Sequence, residues 1–154
     1  MGAVPFQLAM GAAQYKAQGE IGKFNQRVNN RNALILEGQA DQIEAKAEFD
    51  IAQFEKNFTK VEGQTKVALA KSGVVMDSGS AYNIQLSNAY EAQLQKELIK
   101  YNSQVAAANK MEEANFARIK GTMARNEAKL AQITTVAQTG SNIYSMMNKP
   151  KGVV

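Results

Sequence analysis

The segment that decides the fold is Lys71-Ser72-Gly73-Val74-Val75-Met76-Asp77-Ser78-Gly79-Ser80, near the middle of a chain of 154 residues. A basic residue followed by glycine is typical of the end of a helix, and the Asp and Ser residues beyond it suit the start of another. Proline, the strongest helix breaker, occurs only at Pro5 and Pro150. The sequence therefore predicts two long helices joined by one turn.

Arms of similar length flank this turn, which favours a single hairpin. We assign residues 1–71 to the first arm, 72–80 to the turn, 81–148 to the second arm and 149–154 to a basic tail. The residues that define the turn motif are Ser72, Gly73, Asp77, Ser78, Gly79 and Ser80. Asparagine favours caps and turns over helix interiors, so the asparagine-rich segment 29–32 predicts a further break between helices at 6–28 and 33–71. The predicted fold class is all-α, an elongated coiled-coil-like hairpin.

Apolar residues recur along both arms at steps of three and four, as they do in coiled coils. Because such a stripe faces a partner helix, we predict that it forms the seam between the arms and supports assembly. The residues that we assign to this assembly seam are Ile43, Ile51, Phe54, Phe58 and Val61 in the first arm and Leu94, Leu98, Tyr101, Val105, Ile119, Leu130 and Ile133 in the second.

Further apolar residues lie off this stripe and would have no cover within a two-helix hairpin. They are Leu34, Ile35, Phe49, Leu86, Tyr90, Ile99 and Phe116. Uncovered apolar surface of this extent is typical of proteins that bind other subunits. The sequence therefore predicts a homo-oligomer.

The composition argues against an enzyme. The chain has no cysteine and no histidine, which excludes thiolate chemistry, imidazole metal sites and Ser-His-Asp systems. The acidic residues follow helical-surface spacing and do not cluster as a catalytic pair would. We therefore expect a structural protein with no cofactor, metal or small-molecule substrate. We also expect no transmembrane helix, since no run of about 18 apolar residues is present.

The net charge of +4 is unevenly distributed, because both ends of the chain are basic. A hairpin brings these ends together, with apolar residues of the first segment beside them. The residues predicted to contact an anionic membrane, or packaged DNA without sequence preference, are Phe6, Leu8, Met10, Lys16, Lys23, Arg27, Arg125 and Lys129. A merely solvated basic surface explains the same charges equally well.

The central segment Ala70-Lys71-Ser72-Gly73-Val74-Val75-Met76-Asp77-Ser78-Gly79-Ser80-Ala81 resembles the turn between long helices in small internal virion proteins of short-tailed, podovirus-type phages. The wider layout is similar as well. It comprises a small-residue apolar start, an acidic middle of the first arm, the Gly-Ser turn, and a second arm that ends in apolar and then basic residues.

The resemblance implies a structural protein of the capsid core. Such a protein forms an oligomeric ring on the portal with other internal core proteins. It is then ejected into the host envelope, where it helps to form a channel for genome delivery. Two alternatives stay open from the sequence, a capsid scaffolding protein and a subunit of a secretion filament.

Overall fold

The computed structural model describes residues 3–73 and 79–148. Helix α1 spans Ala3–Lys71 and helix α2 spans Gly79–Met147. The two helices pack against each other, and 98% of the described residues are helical, with no strand among them. The prediction of an all-α helical hairpin is therefore confirmed.

Packing divides the hairpin into two units, each built from one segment of α1 and one of α2. The terminal unit comprises Met1–Ile35 and Glu113–Val154, and the turn unit comprises Leu36–Glu112. Each unit has its own seam between the two helices.

The predicted break at residues 29–32 is wrong, because α1 runs through this segment without interruption. The asparagines are held inside the helix by local and tertiary contacts. The Asn29 side-chain amide donates a hydrogen bond to the Asn25 carbonyl oxygen at 2.9 Å. On the facing helix, Gly121 leaves room for the Asn29 side chain, since a Cβ on that glycine would lie 3.1 Å from the Asn29 Cβ. Packing thus overrides the local preference of asparagine for turns.

The turn motif ends α1 and begins α2. After Lys71, the Ser72 amide donates to the Ala68 and Leu69 carbonyl oxygens, and the Gly73 amide donates to that of Ala70 at 3.2 Å. Gly73 has φ of +76°, the left-handed conformation that favours glycine at a helix end. Helix α2 begins at Gly79, also with positive φ, slightly before the predicted residue 81. Asp77, Ser78 and the basic tail lie outside the described residues.

Small side chains form the seam between the helices. The residues buried there are Gly22, Ala33, Ala114, Gly121 and Thr135 in the terminal unit, and Ala40, Ala47, Ala81, Ala92 and Ala107 in the turn unit. None of the large side chains in the described residues is fully buried. Because alanine and glycine project little from the backbone, they let two helices approach closely.

The predicted stripe on α2 does not form the seam between the two helices. Leu94, at 52% exposure, points away from α1, and the other six predicted members are exposed as well: Leu98, Tyr101, Val105, Ile119, Leu130 and Ile133. These residues are offset by two positions from the buried small residues, which is about 200° around a helix. The seam therefore uses the opposite side of α2, where a repeat of small residues at seven-residue spacing allows close approach.

The predicted seam on α1 fits the turn unit better. Ile43, Ile51, Phe54 and Phe58 are half-buried there, and the rings of Phe54 and Phe58 stack with centroids 6.3 Å apart. Val61 is 55% exposed and lies at the edge of the seam, where it lines a groove with Phe58 and with Asn88 of α2. Of the residues predicted to lie off the seam, Ile99 is half-buried and the rest are exposed.

Candidate functional site

The two helices of the terminal unit come close together at Gly22. A Cβ on this glycine would collide with the Ala128 methyl group. Gly121 has a similar role, since an added Cβ would lie 3.3 Å from the Gln26 carbonyl oxygen. These contacts fix how near α1 and α2 can come in this unit.

Three hydrogen bonds between α1 and α2 fix how the two helices are aligned along their axes in the terminal unit. Arg125 donates from Nη1 to Gln26 Oε1 at 3.0 Å, and Gln132 donates to the Tyr15 carbonyl oxygen at 2.7 Å. Thr135, only 6% exposed, donates to Gln18 Oε1 at 3.0 Å. The two helices run antiparallel, so the numbers of facing residues in this unit sum to about 150, as for Gly22 and Ala128. A shift of one residue along either helix corresponds to about 1.5 Å.

An outward surface on α2 of the terminal unit lies opposite its seam. We call it the α2 face. Its members follow steps of three and four and are all exposed: Phe116, Ile119, Met123, Asn126, Leu130, Ile133, Ala137, Gly140 and Tyr144. Ile133, at 65% exposure, is typical of the large residues among them. A row of this length is more than the scattered apolar exposure normal for a soluble surface.

A corresponding outward surface lies on α1 of the terminal unit, again opposite the seam. We call it the α1 face. Its members also follow steps of three and four and are all exposed: Phe6, Met10, Ala13, Ala17, Ile21, Phe24, Val28, Arg31 and Ile35. The terminal unit therefore places its large apolar side chains on the outside of both helices and its small ones between them.

The turn unit shows the same arrangement on α2. Leu94, Leu98, Tyr101 and Val105 form an exposed stripe on the side away from α1. At the edge of the seam, Lys96 Nζ pairs with Glu55 Oε1 at 2.9 Å, and both side chains keep contact with solvent. An ion pair of this kind adds at most about 1 kcal/mol, so it does not offset the missing apolar core.

A cationic groove runs along the terminal unit beside its seam. It has a volume of about 510 Å³ and is lined by the cations Lys16, Lys23, Arg125 and Lys129, together with Tyr15, Gly19, Glu20, Ala128 and Gln132. Glu20 is the acidic member of this lining, and it lies 3.2 Å from the Lys23 ammonium group in an exposed pair. The groove therefore carries excess positive charge and suits an anionic partner.

An apolar groove of about 460 Å³ shares Tyr15 with the cationic groove in the same unit. Its lining consists of Leu8, Gly11, Ala12, Tyr15, Val136, Thr139, Gly140 and Ile143. Glycine at positions 11 and 140 and alanine at position 12 leave the groove open. The terminal unit thus joins a charged and an apolar surface.

The structure brings together part of the predicted membrane or DNA contact. Lys16, Lys23, Arg125 and Lys129 line one groove, and Leu8 lines the adjoining one. Phe6 and Met10 lie on the α1 face, and Arg27 does not line either groove. Tyr15 and Gln132 were not predicted, and no motif in the sequence marks them.

The described residues show no arrangement suited to metal chemistry. Across residues 3–73 and 79–148, no group of three or more acidic side chains lies close enough to hold a metal ion. Neither described helix contains a stretch long and apolar enough to cross a membrane.

Comparison with protein-family models, curated proteins and solved structures finds no match to this chain. The outward apolar faces and the cationic groove are the features of this chain that indicate what it binds.

Proposed function

We propose that this chain is a non-enzymatic structural subunit that assembles with copies of itself into a ring. The observation that carries the proposal is the inverted distribution of apolar side chains. Alanine and glycine fill the seam of the terminal unit, whereas Phe24, Leu130, Ile133 and their neighbours lie outside. Burial of apolar area contributes about 25 cal/mol per Å². A partner that covers these exposed faces would therefore bind favourably.

The specific form that we propose is an internal virion protein of a short-tailed phage. In this role the subunits encircle the portal inside the capsid, beside other internal core proteins, and enter the host envelope when the genome is ejected. The resemblance of the central turn and of the chain layout supports this form. The cationic groove supports it too, because an envelope surface and packaged DNA are both anionic.

The first test is the mass of the purified chain in solution, measured by sedimentation equilibrium. We expect a defined oligomer for the native sequence and a smaller species for the double variant Leu130→Gln/Ile133→Gln, with helix content unchanged in circular dichroism. Both residues lie on the α2 face, so their replacement leaves the seam intact. A native chain that sediments as a monomer would contradict the proposal.

The phage role has its own test, which separates it from the alternatives. A mass-resolved inventory of mature particles should contain the chain if it is a core protein. A scaffolding protein would be present in precursor particles and absent from mature ones. A secretion-filament subunit would be absent from both.

A further inference from the structure

We propose that the α2 face of one copy packs against the α1 face of the next copy. The residues that meet in this contact have numbers that sum to about 150, as facing residues of the two helices do within the chain. This inference rests on the proposed assembly and specifies its interface. The occupant of each face is thus a second copy of this chain, and the two faces of the terminal unit are the two halves of one contact.

The members of the two faces lie at corresponding positions along their helices. Read from residue 35 towards residue 6, the α1 face has nine members, and the α2 face has nine from 116 to 144. Counted from the start of each row, the positions of corresponding members never differ by more than one residue. Suppose that the next copy is aligned so that the numbers of facing residues again sum to about 150. Each member of the α2 face then faces one member of the α1 face of the next copy. Phe116 then meets Ile35, Met123 meets Val28, and Leu130 meets Ile21.

At two positions a large residue of one face meets a small residue of the other. At the same level, Ile133 meets Ala17 and Met10 meets Gly140. The end of the row brings together two aromatic rings, those of Tyr144 and Phe6. Alternation of large and small side chains is what lets two helix surfaces interdigitate. The polar member Arg31 meets Ile119, against which its aliphatic stem packs while its guanidinium group reaches water.

The flanks of the two faces carry complementary charge. Neighbouring antiparallel helices bring equivalent flanks of their apolar stripes together. Glu20, which also pairs with Lys23 of its own chain, flanks the α1 face, and Lys129 flanks the α2 face on the same side, where both residues line the cationic groove. Both side chains are exposed. An exposed ion pair adds little to the affinity between copies. A pair between Glu20 of one copy and Lys129 of the next therefore acts mainly on how the two helices are aligned along their axes.

The contact is heterologous, because the α1 face meets a different surface, the α2 face. A heterologous contact produces a ring when the rotation between copies closes, and a helical filament when each copy is also displaced along the axis. Packing at a constant level gives no such displacement. A closed ring then requires only a rotation between copies that divides a full turn.

The absence of cysteine from the native sequence makes oxidative cross-linking a direct test. Ala13 and Ala137 lie exposed on the two faces and meet at the proposed level. We expect the single variants Ala13→Cys and Ala137→Cys to remain uncross-linked alone and to form a disulfide-linked dimer when mixed before assembly. The double variant should give a ladder of linked species that ends at the size of the ring.

The matched control mixes Ala13→Cys with Asn126→Cys, which lies on the same face about 16 Å farther along the helix and leaves the large apolar residues in place. Because a disulfide requires Cα atoms within about 7 Å, this mixture should not cross-link. Equal cross-linking in the control, or self-linking of Ala137→Cys, would overturn the interface. A native oligomer with no link in the Ala13 and Ala137 mixture would overturn the interface alone. A native monomer would overturn the proposed function as well.

Discussion

Gly22 of α1 lies so close to Ala128 of α2 that the glycine position has no room for a methyl group. This contact sets the distance between the two helices in the terminal unit. It also explains why a residue with poor helix propensity stands inside a long helix, since close approach compensates for the conformational freedom that glycine loses on folding.

Replacing Gly22 by alanine should destabilise the hairpin. The gain in helix propensity is about 1 kcal/mol, but the seam must open to admit the methyl group, at a cost of about 1 to 3 kcal/mol. Gly63→Ala is the control, because open space surrounds that position and alanine there should stabilise by up to about 1 kcal/mol. Urea unfolding measures both. Stabilisation by both substitutions would contradict the close approach.

A second prediction tests which side of α2 faces α1. Ala107 is almost fully buried and Leu98 is largely exposed, contrary to the periodicity of large residues. We expect Ala107→Gln to lower the free energy of unfolding by about 1 to 3 kcal/mol, because the seam cannot hold the longer side chain. Leu98→Gln should leave the hairpin folded and weaken assembly only. Thermal unfolding and sedimentation together separate the two effects, and the reverse ranking would restore the original assignment.

These two positions show why sequence reasoning failed on α2. Periodicity analysis gives most weight to large apolar residues, so the stripe through Leu98 and Ile133 outweighed the alanines. The repeat from Ala107 through Ala114 to Gly121 was visible in the sequence. Its meaning depends on the distance between backbones, which composition does not provide. By contrast, Gly73 and Lys71 identified the end of α1, because a local conformational requirement decides that position.

The stacked pair Phe54 and Phe58 gives a third prediction. Both rings are half-buried, so replacing either with serine should cost about 1 to 2 kcal/mol, less than the 3 to 5 kcal/mol typical of fully buried aromatics. Phe49→Ser is the control, since this ring is exposed and its loss should change chain stability by no more than about 0.5 kcal/mol. Similar losses for all three variants would argue against the seam in the turn unit.

The fourth prediction concerns the cationic groove and an anionic membrane. We expect the disassembled chain to sediment with anionic vesicles at low salt and to be released at high salt. Each basic group near such a surface adds about 1 kcal/mol, so Lys23→Gln/Lys129→Gln should weaken binding about 10-fold or more. Arg125 is left unchanged because it bonds to Gln26 across the seam.

The charge-matched control is Lys46→Gln/Lys60→Gln, at exposed positions of the turn unit. It should retain binding, and a chain lacking residues 1–15 should lose part of it, because this segment contributes Leu8 and Gly11 to the apolar groove. Equal loss in both double variants would show that only net charge matters. Retention by the truncated chain and equal binding to neutral vesicles would remove the membrane from the proposed function.

The seam of alanine and glycine also determines how a newly made chain behaves before it meets another. Small side chains bury little area, so the isolated hairpin gains little free energy from its own contacts. Assembly should therefore add to the stability of a hairpin that can fold alone, so the thermal midpoint rises with subunit concentration. Dilution then promotes unfolding as heat does, and a dilute, freshly synthesised subunit is the form most exposed to proteases.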